Sequence, residues 1–332
     1  MPCSISISVI LLSIVALCAC QNGRTLFHRS DKTEVNMIVM GDWGGIPIYP
    51  YYSPFELACA KEMMSKAKLH NTDFVVALGD NFYYDGVTDE FDPRFQNTFE
   101  KVFSDESFLD TPWFILAGNH DHRGNITAQI AYSKRSHRWN FPQLWYNIEV
   151  QRPDMNITIV MIDTVTLCGN TLSDSDEGQP SGIFDQRLAS DQLAFIEDSI
   201  KDNKNHYVLV AGHFPVWSVA EHGPTQCLVE KLKPLLEKYG VSAYFSGHDH
   251  NLQHIRESGS PVEYFVSGAV DIVNPSMKHE SDIPANSLQY HWASVLGLAG
   301  FATVEATTEN MVVKFHSATG ATLYKYSIPP RK

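Results

Sequence analysis

Short apolar runs separated by polar turns recur along the chain. They are rich in Val, Ile and Phe and are bounded by Gly, Asn or Asp, a pattern that is typical of β-strands. The pattern predicts nine strands, at Val35–Met40, Phe74–Leu78, Trp113–Ala117, Ile157–Ile162, Tyr207–Ala211, Ala243–Phe245, Tyr264–Val266, Phe301–Val304 and Met311–Phe315.

Apolar residues at helical spacing occur between several of these strands. They predict helices over Pro54–Lys68, over Ser190–Lys201 with Ser190 as N-cap, and over Leu228–Tyr239 with a kink at Pro234. Alternating strands and helices indicate an α/β domain. The later strands are less separated by helices, so a second, partly antiparallel sheet is expected. A β-sandwich with flanking helices fits both halves of the chain.

The beginning of the chain resembles a targeting segment. Ile5–Cys20 is apolar, is too short to span a bilayer comfortably, and is followed by polar residues. Residues 1–20 are therefore predicted to be a signal peptide, cleaved near Ala19 to Gln21. The alternative is an uncleaved anchor, because no Lys or Arg precedes the apolar stretch. Residues 21–332 contain no internal repeat and are predicted to form a single domain in the secretory pathway.

Three cysteines lie in residues 21–332, which indicates one pair and one free thiol. Cys59 lies in a helix-like segment and is predicted to be a small buried apolar residue. Cys168 and Cys227 lie in polar loops and are favoured as the pair, with three free thiols as the alternative. Together with the signal peptide, the sequons at Asn125 and Asn156 predict N-glycosylation.

Composition limits the classes of partner. The chain has 332 residues, a hydrophobic content of 44% and a formal net charge of −13. This hydrophobic content is sufficient for a core. The acidic balance argues against a nucleic-acid partner, because phosphate-backbone recognition needs a basic face. Phosphorylated substrates stay compatible with it, because bound metal ions supply positive charge locally.

Five glycine-containing motifs supply oxygen or nitrogen ligands, and nearly every one follows an apolar run. They are Gly41-Asp42-Trp43-Gly44, Gly79-Asp80-Asn81-Phe82-Tyr83, Gly118-Asn119-His120-Asp121, Gly212-His213 and Gly247-His248-Asp249-His250. A single Gly-Asp or Gly-His is weak evidence, because a lone buried polar residue usually has a structural role. Ligand sites in α/β sheets form at the carboxyl ends of strands. The residues at successive strand ends therefore indicate a metal-ligand cluster: Asp42, Asp80, Asn119, His213, His248 and His250.

The chemical types of these ligands indicate the class of metal. Carboxylate, amide and imidazole groups without thiolate suit hard or borderline ions. A carboxylate shared by two ions lets them lie about 3.5–4 Å apart. Tyr83 follows Asp80 by three residues, so both can face one pocket, and a phenolate ligand favours ferric iron. Outside this motif, Tyr83 would be interpreted as an ordinary packed tyrosine.

In their order, the five motifs resemble those of the metallophosphoesterase superfamily and, within it, the purple acid phosphatases. Similarity to the small tartrate-resistant animal members extends to Ala128–Tyr132, Asp163–Asn170, Val216–Cys227 and His248–Gln253. It covers nearly all of residues 21–332. The resemblance implies an α/β fold, a four-layer β-sandwich of two mixed sheets flanked by helices.

The resemblance also implies roles for individual residues. Ferric iron would be held by Asp42, Asp80, Tyr83 and His250. A second ion, Fe(II) or alternatively zinc or manganese, would be held by Asp80, Asn119, His213 and His248. The residues that would face the substrate are His120 and His222. The disulfide would join Cys168 and Cys227. The N-glycans would be carried by Asn125 and Asn156.

The implied function is an acid phosphatase that hydrolyses phosphate monoesters. Two cations would neutralise the phosphate oxygens, and a metal-bound hydroxide would attack in line. His222 is the expected general acid for the leaving group. Phosphorylated small molecules or phosphoproteins are the expected substrates. The protein is expected to be a lysosomal or extracellular monomer, without a nucleic-acid partner and without membrane attachment after signal cleavage.

Three other functions stay open at this point. Another dinuclear phosphoesterase, such as a phosphodiesterase or a neutral protein phosphatase, is disfavoured by Tyr83 and by the pair of substrate-facing histidines. An inactive glycoprotein that signals by binding is disfavoured by the intact ligand set. A secondary redox activity of an iron pair is compatible with the sequence.

Two segments differ from the family pattern. Asn274 stands where the animal enzymes carry an aspartate, a change expected to affect the pH profile and the substrate preference. The acidic loop Leu167–Arg187 resembles the loop that represses the animal enzymes until proteolysis cuts it. We hypothesise that this loop covers the metal site and is a cleavage switch.

Overall fold

The computed structural model describes residues 18–20, 23–171, 179–294 and 298–332. Most of the predicted signal peptide lies outside the described residues, as does the centre of the acidic loop, residues 172–178. The described strands are β1 (Cys18–Cys20), β2 (Gly23–Arg29), β3 (Val35–Met40), β4 (Phe74–Ala77), β5 (Trp113–Ile115), β6 (Trp139–Asn140), β7 (Tyr146–Gln151), β8 (Asn156–Met161), β9 (Tyr207–Ala211), β10 (Ala243–Ser246), β11 (Leu252–Arg256), β12 (Glu263–Ser267), β13 (Leu288–Trp292), β14 (Gly300–Ala306), β15 (Met311–Ser317) and β16 (Thr322–Ile328).

Helices connect many of these strands. The described α-helices are α1 (Pro54–His70), α2 (Glu106–Leu109), α3 (Ile126–Tyr132), α4 (Thr164–Cys168), α5 (Gln186–Ile200), α6 (Gln226–Lys231) and α7 (Lys233–Lys238). A π-helical segment covers Phe95–Glu100, and 3-10 turns cover Asp121–Arg123 and Glu280–Asp282. None of the helices in the described part combines the length and the hydrophobicity that crossing a bilayer requires.

The strands form two mixed sheets, as predicted. One sheet has the order β1-β2-β7-β8-β9-β10-β12-β11-β13, and the other has the order β16-β15-β14-β3-β4-β5-β6. Strands β3, β4 and β5 run parallel in one sheet, and β8, β9 and β10 run parallel in the other. The late strands β14 to β16 are antiparallel, but they join the sheet of the early strands, because β14 pairs with β3. The expectation of a separate sheet for the late strands is wrong in this respect.

Strand β8 shows how the layers are built. Ile157, Ile159 and Met161 pack in the core between the two sheets, whereas Val160 and Ile162 belong to a second core beneath α5, α6 and α7. Both faces of the strand are covered, so Ile157–Met161 is apolar apart from Thr158, as is typical of buried strands. This arrangement explains why the central strands were predictable.

The nine predicted strands are all present, each with bounds within two residues of the prediction. The pattern missed β1, β2, β6, β7, β11, β13 and β16. Strand β7 has alternating buried and half-buried positions, and β11 contains polar residues that are buried through pairing. His254 of β11, for example, is fully buried and bonds to Glu263 and Tyr324. Tyr324 lies 70 residues from His254 in the sequence. A search for local apolar runs does not detect such a partner and therefore misses the strand.

Two helix predictions need correction. Helix α5 begins at Gln186, and its N-cap is Asp185, whose carboxylate accepts from the backbone N–H groups of Arg187 and Leu188. Ser190 is not the cap; its hydroxyl donates to the carbonyl of Gln186 one turn earlier. The predicted helix with a kink is two helices, α6 and α7, and the proline lies in the first turn of α7, where its missing N–H needs no partner.

The predicted pairing of Cys168 with Cys227 is confirmed, but the two residues lie in helices and not in polar loops as expected. Cys168 and Cys227 form a disulfide that joins α4 to α6. Cys59 is a free thiol, fully buried in α1. The helix α1 itself begins at a capping box, in which Ser53 and Glu56 bond reciprocally to each other's backbone N–H groups. The disulfide between Cys168 and Cys227 connects α4 and α6, which come before and after the centre of the acidic loop in the sequence.

Candidate metal centre

The predicted ligands come together where the carboxyl ends of the two sheets meet. Asp42, Asp80 and Asn119 follow the parallel strands β3, β4 and β5 of one sheet. His213 follows β9, and His248 and His250 follow the neighbouring parallel strand β10 of the other sheet. Backbone contacts join the two edges, since the N–H of His248 donates to Asp42 Oδ2 at 2.9 Å. The side chains therefore lie close together at the carboxyl ends of the parallel strands.

The first group of donors consists of Asp42, Tyr83 and His250. The Tyr83 hydroxyl oxygen lies 3.1 Å from Asp42 Oδ1 and 3.0 Å from His250 Nε2, and the last two atoms are 3.5 Å apart. Ligands bound to one ion at about 2.1 Å are separated from each other by roughly 3.0–3.4 Å. The three donor atoms therefore fit around a single metal ion.

The second group consists of Asp80, Asn119, His213 and His248. His213 Nε2 lies 2.9 Å from Asn119 Oδ1 and 3.4 Å from Asp80 Oδ1. Ligand atoms of Asp80, His213 and His248 all lie within 4.8 Å of one another, and the three residues are buried. The other ring nitrogen of His213 bonds to the carbonyl of Leu78 at 2.8 Å, which turns Nε2 towards the cluster. This group fits a second ion.

The backbone at these positions has an uncommon conformation. Asp42, Asp80 and His248 have positive φ angles of 60°, 50° and 69°. For residues with a Cβ this conformation costs about 1–3 kcal/mol each, and such strain concentrates at functional sites. The glycines of the motifs make room for the ligands: a Cβ at Gly118 would overlap Asp80 Oδ1, and one at Gly247 would overlap Asp42 Oδ2. Steric overlap with the ligand carboxylates therefore explains why glycine occupies positions 118 and 247.

Electrostatics favours cations in this pocket. Burial alone would raise the pKa of Asp80, but His213 and His120 outweigh burial and hold that pKa below its usual range. Burial lowers the pKa of His213, yet the Asp80 carboxylate outweighs it and raises the pKa to about 9. Burial, with the charges of Asp42 and Asp80, raises the pKa of Tyr83 well above its usual range. A hard, highly charged cation would stabilise the negative charge of these buried carboxylates and of the tyrosine oxygen.

The two predicted substrate-facing histidines flank the ligand groups. His120 Nδ1 bonds to the carbonyl of Tyr84 at 2.7 Å, and His120 Nε2 lies 3.8 Å from Asp80 Oδ2. The ring of His222 stacks on that of His248, with 4.2 Å between the ring centroids. Each histidine therefore stands beside a different member of the ligand set.

Sequence reasoning missed the carboxylates that hold the site loops. Asp121 is fully buried and accepts from the N–H groups of Gly118 and Asn81 and from Gln129 Nε2, at 2.8–3.1 Å. Burial and the nearby Asp80 raise the pKa of Asp121 to about 6. Asp121 and Asp249 both belong to the quoted motifs, so the motifs were the signal, but only the folded contacts reveal what these carboxylates do.

Asn274, the position that departs from the family pattern, lies beside the centre. Its backbone N–H donates to the carbonyl of His250 at 2.8 Å, and its side-chain oxygen accepts from the N–H of Ser276 at 2.9 Å. The Asn274 side chain therefore caps its own turn.

Comparison with known proteins agrees with this geometry. Residues 35–252 match the model of the calcineurin-like phosphoesterase family. The chain is 47% identical to tartrate-resistant acid phosphatase type 5 from Oryctolagus cuniculus, over 90% of this chain and 91% of that protein. It is 27% identical to purple acid phosphatase 17 from Arabidopsis thaliana, over 98% and 94% of the two chains.

The chain belongs to the purple acid phosphatase family.

As a member of that family it is an acid phosphatase, a hydrolase, and the family implies a dinuclear centre that contains iron. A solved structure described as GAP50, the anchor in the inner membrane complex of Plasmodium, superposes with a TM-score of 0.75 at 22% identity, over 91% of this chain and 90% of that chain. At this identity the similarity concerns the fold alone.

Proposed function

We propose that this acid phosphatase hydrolyses phosphate monoesters at a dinuclear centre held by the two groups of donors. The observation that carries the proposal is the cluster of Asp42, Tyr83 and His250, whose donor atoms lie 3.0–3.5 Å apart. Asp80 belongs to the second group, at 3.4 Å from His213, and its charge also raises the pKa of Tyr83 and of His250. This position between the groups suits a bridging ligand.

The donor sets suggest which ions are held. Tyr83 becomes a phenolate only beside a strong Lewis acid, because burial and two carboxylates raise its pKa. We therefore assign Fe(III) to Asp42, Asp80, Tyr83 and His250. Fe(II), or alternatively zinc or manganese, is assigned to Asp80, Asn119, His213 and His248. When bound, the ion pair would neutralise phosphate charge and lower the pKa of bound water.

The two histidines complete the chemistry with their own protons. His120 bonds to the Tyr84 carbonyl through Nδ1, and its Nε2 lies on the side of the ligand cluster, 3.8 Å from Asp80 Oδ2, where we propose that it contacts a phosphate oxygen. His222 is assigned the general-acid role: as the P–O bond breaks, its imidazolium gives a proton to the leaving oxygen. Stacking on His248 places it beside the second group of donors.

Replacing His222 with asparagine tests this assignment. We expect turnover of an alkyl phosphate to fall by about 10²-fold or more, the usual contribution of a general acid. Turnover of 4-nitrophenyl phosphate should fall much less, because its leaving group needs little protonation. Steady-state kinetics on both substrates, with metal content measured in parallel, checks the expectation. Equal losses on the two substrates would remove His222 from the general-acid role.

The same proposal extends to processing and location. Residues 1–20 would be removed, leaving a single domain of residues 21–332 in the secretory pathway, lysosomal or extracellular. Asn125 and Asn156 are exposed, as N-glycan acceptors must be. The disulfide between Cys168 and Cys227 fits an oxidising compartment. A monomer that acts on phosphorylated small molecules or phosphoproteins is the form we propose.

The role of the acidic loop as a cleavage switch is a further part of this proposal. One described end contacts a proposed ligand, since Thr171 Oγ1 accepts from Asn119 Nδ2 at 3.1 Å. The other end contacts the segment that follows His222, since Gln179 Nε2 donates to the carbonyl of Pro224 at 2.9 Å. We expect limited proteolysis within residues 172–178 to raise turnover, because the hypothesis is that the intact loop represses the enzyme. Cleavage mapped by mass spectrometry with unchanged turnover would refute the switch.

A further inference from the structure

The loop that carries His222 is irregular but is tied to the metal-ligand turn. This segment, the β9–α6 loop (residues 212–225), contains no strand or helix. The N–H of His222 donates to Asp249 Oδ1 at 3.1 Å, and the hydroxyl of Ser218 donates to Asp249 Oδ2. Asp249 is buried and lies between the proposed ligands His248 and His250. One carboxylate therefore links the general acid to the turn that holds the metals.

Gln253, four residues after Asp249, also holds the β9–α6 loop. Gln253 of β11 accepts from the N–H of Val219 at 2.9 Å through Oε1, and donates to Ser218 Oγ at 2.8 Å through Nε2. Ser218 Oγ also accepts from the N–H of Ala220 at 3.1 Å. Ser218 and Gln253 are completely buried. Three backbone N–H groups of the loop, those of Val219, Ala220 and His222, are thus satisfied by side chains.

This arrangement makes the loop conformation sensitive to each partner. A buried donor or acceptor that loses its partner is costly, so the loop would shift to recover its hydrogen bonds. A further tie reinforces the present position, since the N–H of His279 donates to the carbonyl of Val219 at 3.0 Å. The side of the loop that carries His222 therefore depends on buried polar groups, not on secondary structure, for its placement.

We propose that Asp249, Ser218 and Gln253 are positioning residues that hold His222 at the distance from the metal centre that proton transfer requires. This inference rests on the proposed general-acid role of His222. Displacement of a catalytic group by about 1 Å can lower a rate by about 10²-fold. Loosening the loop should therefore impair proton donation to the leaving oxygen while the metal ligands keep their places.

The variant Ser218→Ala removes the central hydroxyl without changing any proposed ligand. We expect it to lower kcat for phenyl phosphate about tenfold more than for 4-nitrophenyl phosphate, because phenolate is the poorer leaving group. His222→Asn, measured on the same pair of substrates, should show a larger difference of the same direction. Metal content should equal that of the wild-type enzyme. Ser242→Ala is the matched control, because Ser242 is a buried serine that accepts from the N–H of Val208 at the other end of β10.

The outcomes separate the two ideas. If His222→Asn discriminates between the substrates and Ser218→Ala affects both equally, as the control does, the positioning role is wrong and the general acid stands. If His222→Asn does not discriminate, the general-acid assignment fails and the inference fails with it. Should Ser218→Ala be poorly folded by circular dichroism, Asp249→Asn keeps the side-chain volume and is judged by the same ratio of kcat values.

Discussion

Asp80→Asn is expected to abolish metal-dependent turnover. The Asp80 carboxylate lies 3.4 Å from His213 and supplies charge to both groups of donors, so its neutral amide would weaken both sites. Lewis-acid stabilisation is worth several kcal/mol, and each 1.36 kcal/mol is tenfold in rate, so a loss of about 10³-fold or more follows. Metal content by mass spectrometry and kcat on a monoester, measured on the same preparation, check this result.

Asp73→Asn is the matched control. Asp73 is also buried and paired, with Lys32 at 2.8 Å and Arg152 at 3.1 Å, but it precedes β4, whereas the site residues follow the strand. The control should lose stability while it retains both metals and nearly full activity. An Asp80→Asn enzyme with two metals per chain and normal turnover would contradict the bridging role.

Removing the disulfide is expected to have the largest effect on stability. Cys168 and Cys227 are 59 residues apart, and the chain-entropy argument gives about 4 kcal/mol for a loop of that length. For a chain of this size that corresponds to a fall of roughly 6 °C in the unfolding temperature. Differential scanning calorimetry of the double variant Cys168→Ser/Cys227→Ser, compared with the wild-type protein under oxidising conditions, measures the difference.

The free cysteine provides the comparison for this experiment. Cys59 is buried and unbonded, so Cys59→Ala removes a thiol and leaves a small cavity without opening any covalent loop. Its unfolding temperature should fall by clearly less than that of the double variant. Equal falls in the two proteins would show that loss of buried thiol volume, and not the cross-link, determines the stability.

The sequence predicted those parts of the fold that local pattern controls. Strands β3 and β9 were predicted with their observed bounds, because both are buried along their length and are apolar apart from Asn36 of β3. Strand β11 was missed, because its buried His254 is satisfied by Glu263 and by Tyr324, which lies 70 residues away. The wrong N-cap at Ser190 has a local origin, because the prediction began the helix after the first turn, which Asp185 caps.

The sequence motifs gave more of the candidate site than the apolar pattern gave of the surrounding strands. Glycine-flanked polar residues at strand ends gave Asp42, Asp80 and His213 as candidate ligands without any knowledge of which strands are neighbours. The pattern could not show that the β3–β5 edge faces the β9–β10 edge, nor that Asp249 ties the β9–α6 loop to the ligand turn. Those relations depend on tertiary contacts between segments that are far apart in sequence.

The visible absorption spectrum of the purified protein, compared with that of Tyr83→Phe, tests the central claim most directly. Tyr84→Phe is the matched control, because Tyr84 is the adjacent tyrosine and is partly exposed. The account predicts a purple charge-transfer band in the wild-type protein and in Tyr84→Phe, and its loss in Tyr83→Phe. A colourless protein that still binds two metals, or a band that survives in Tyr83→Phe, would contradict a ferric ion bound to Tyr83.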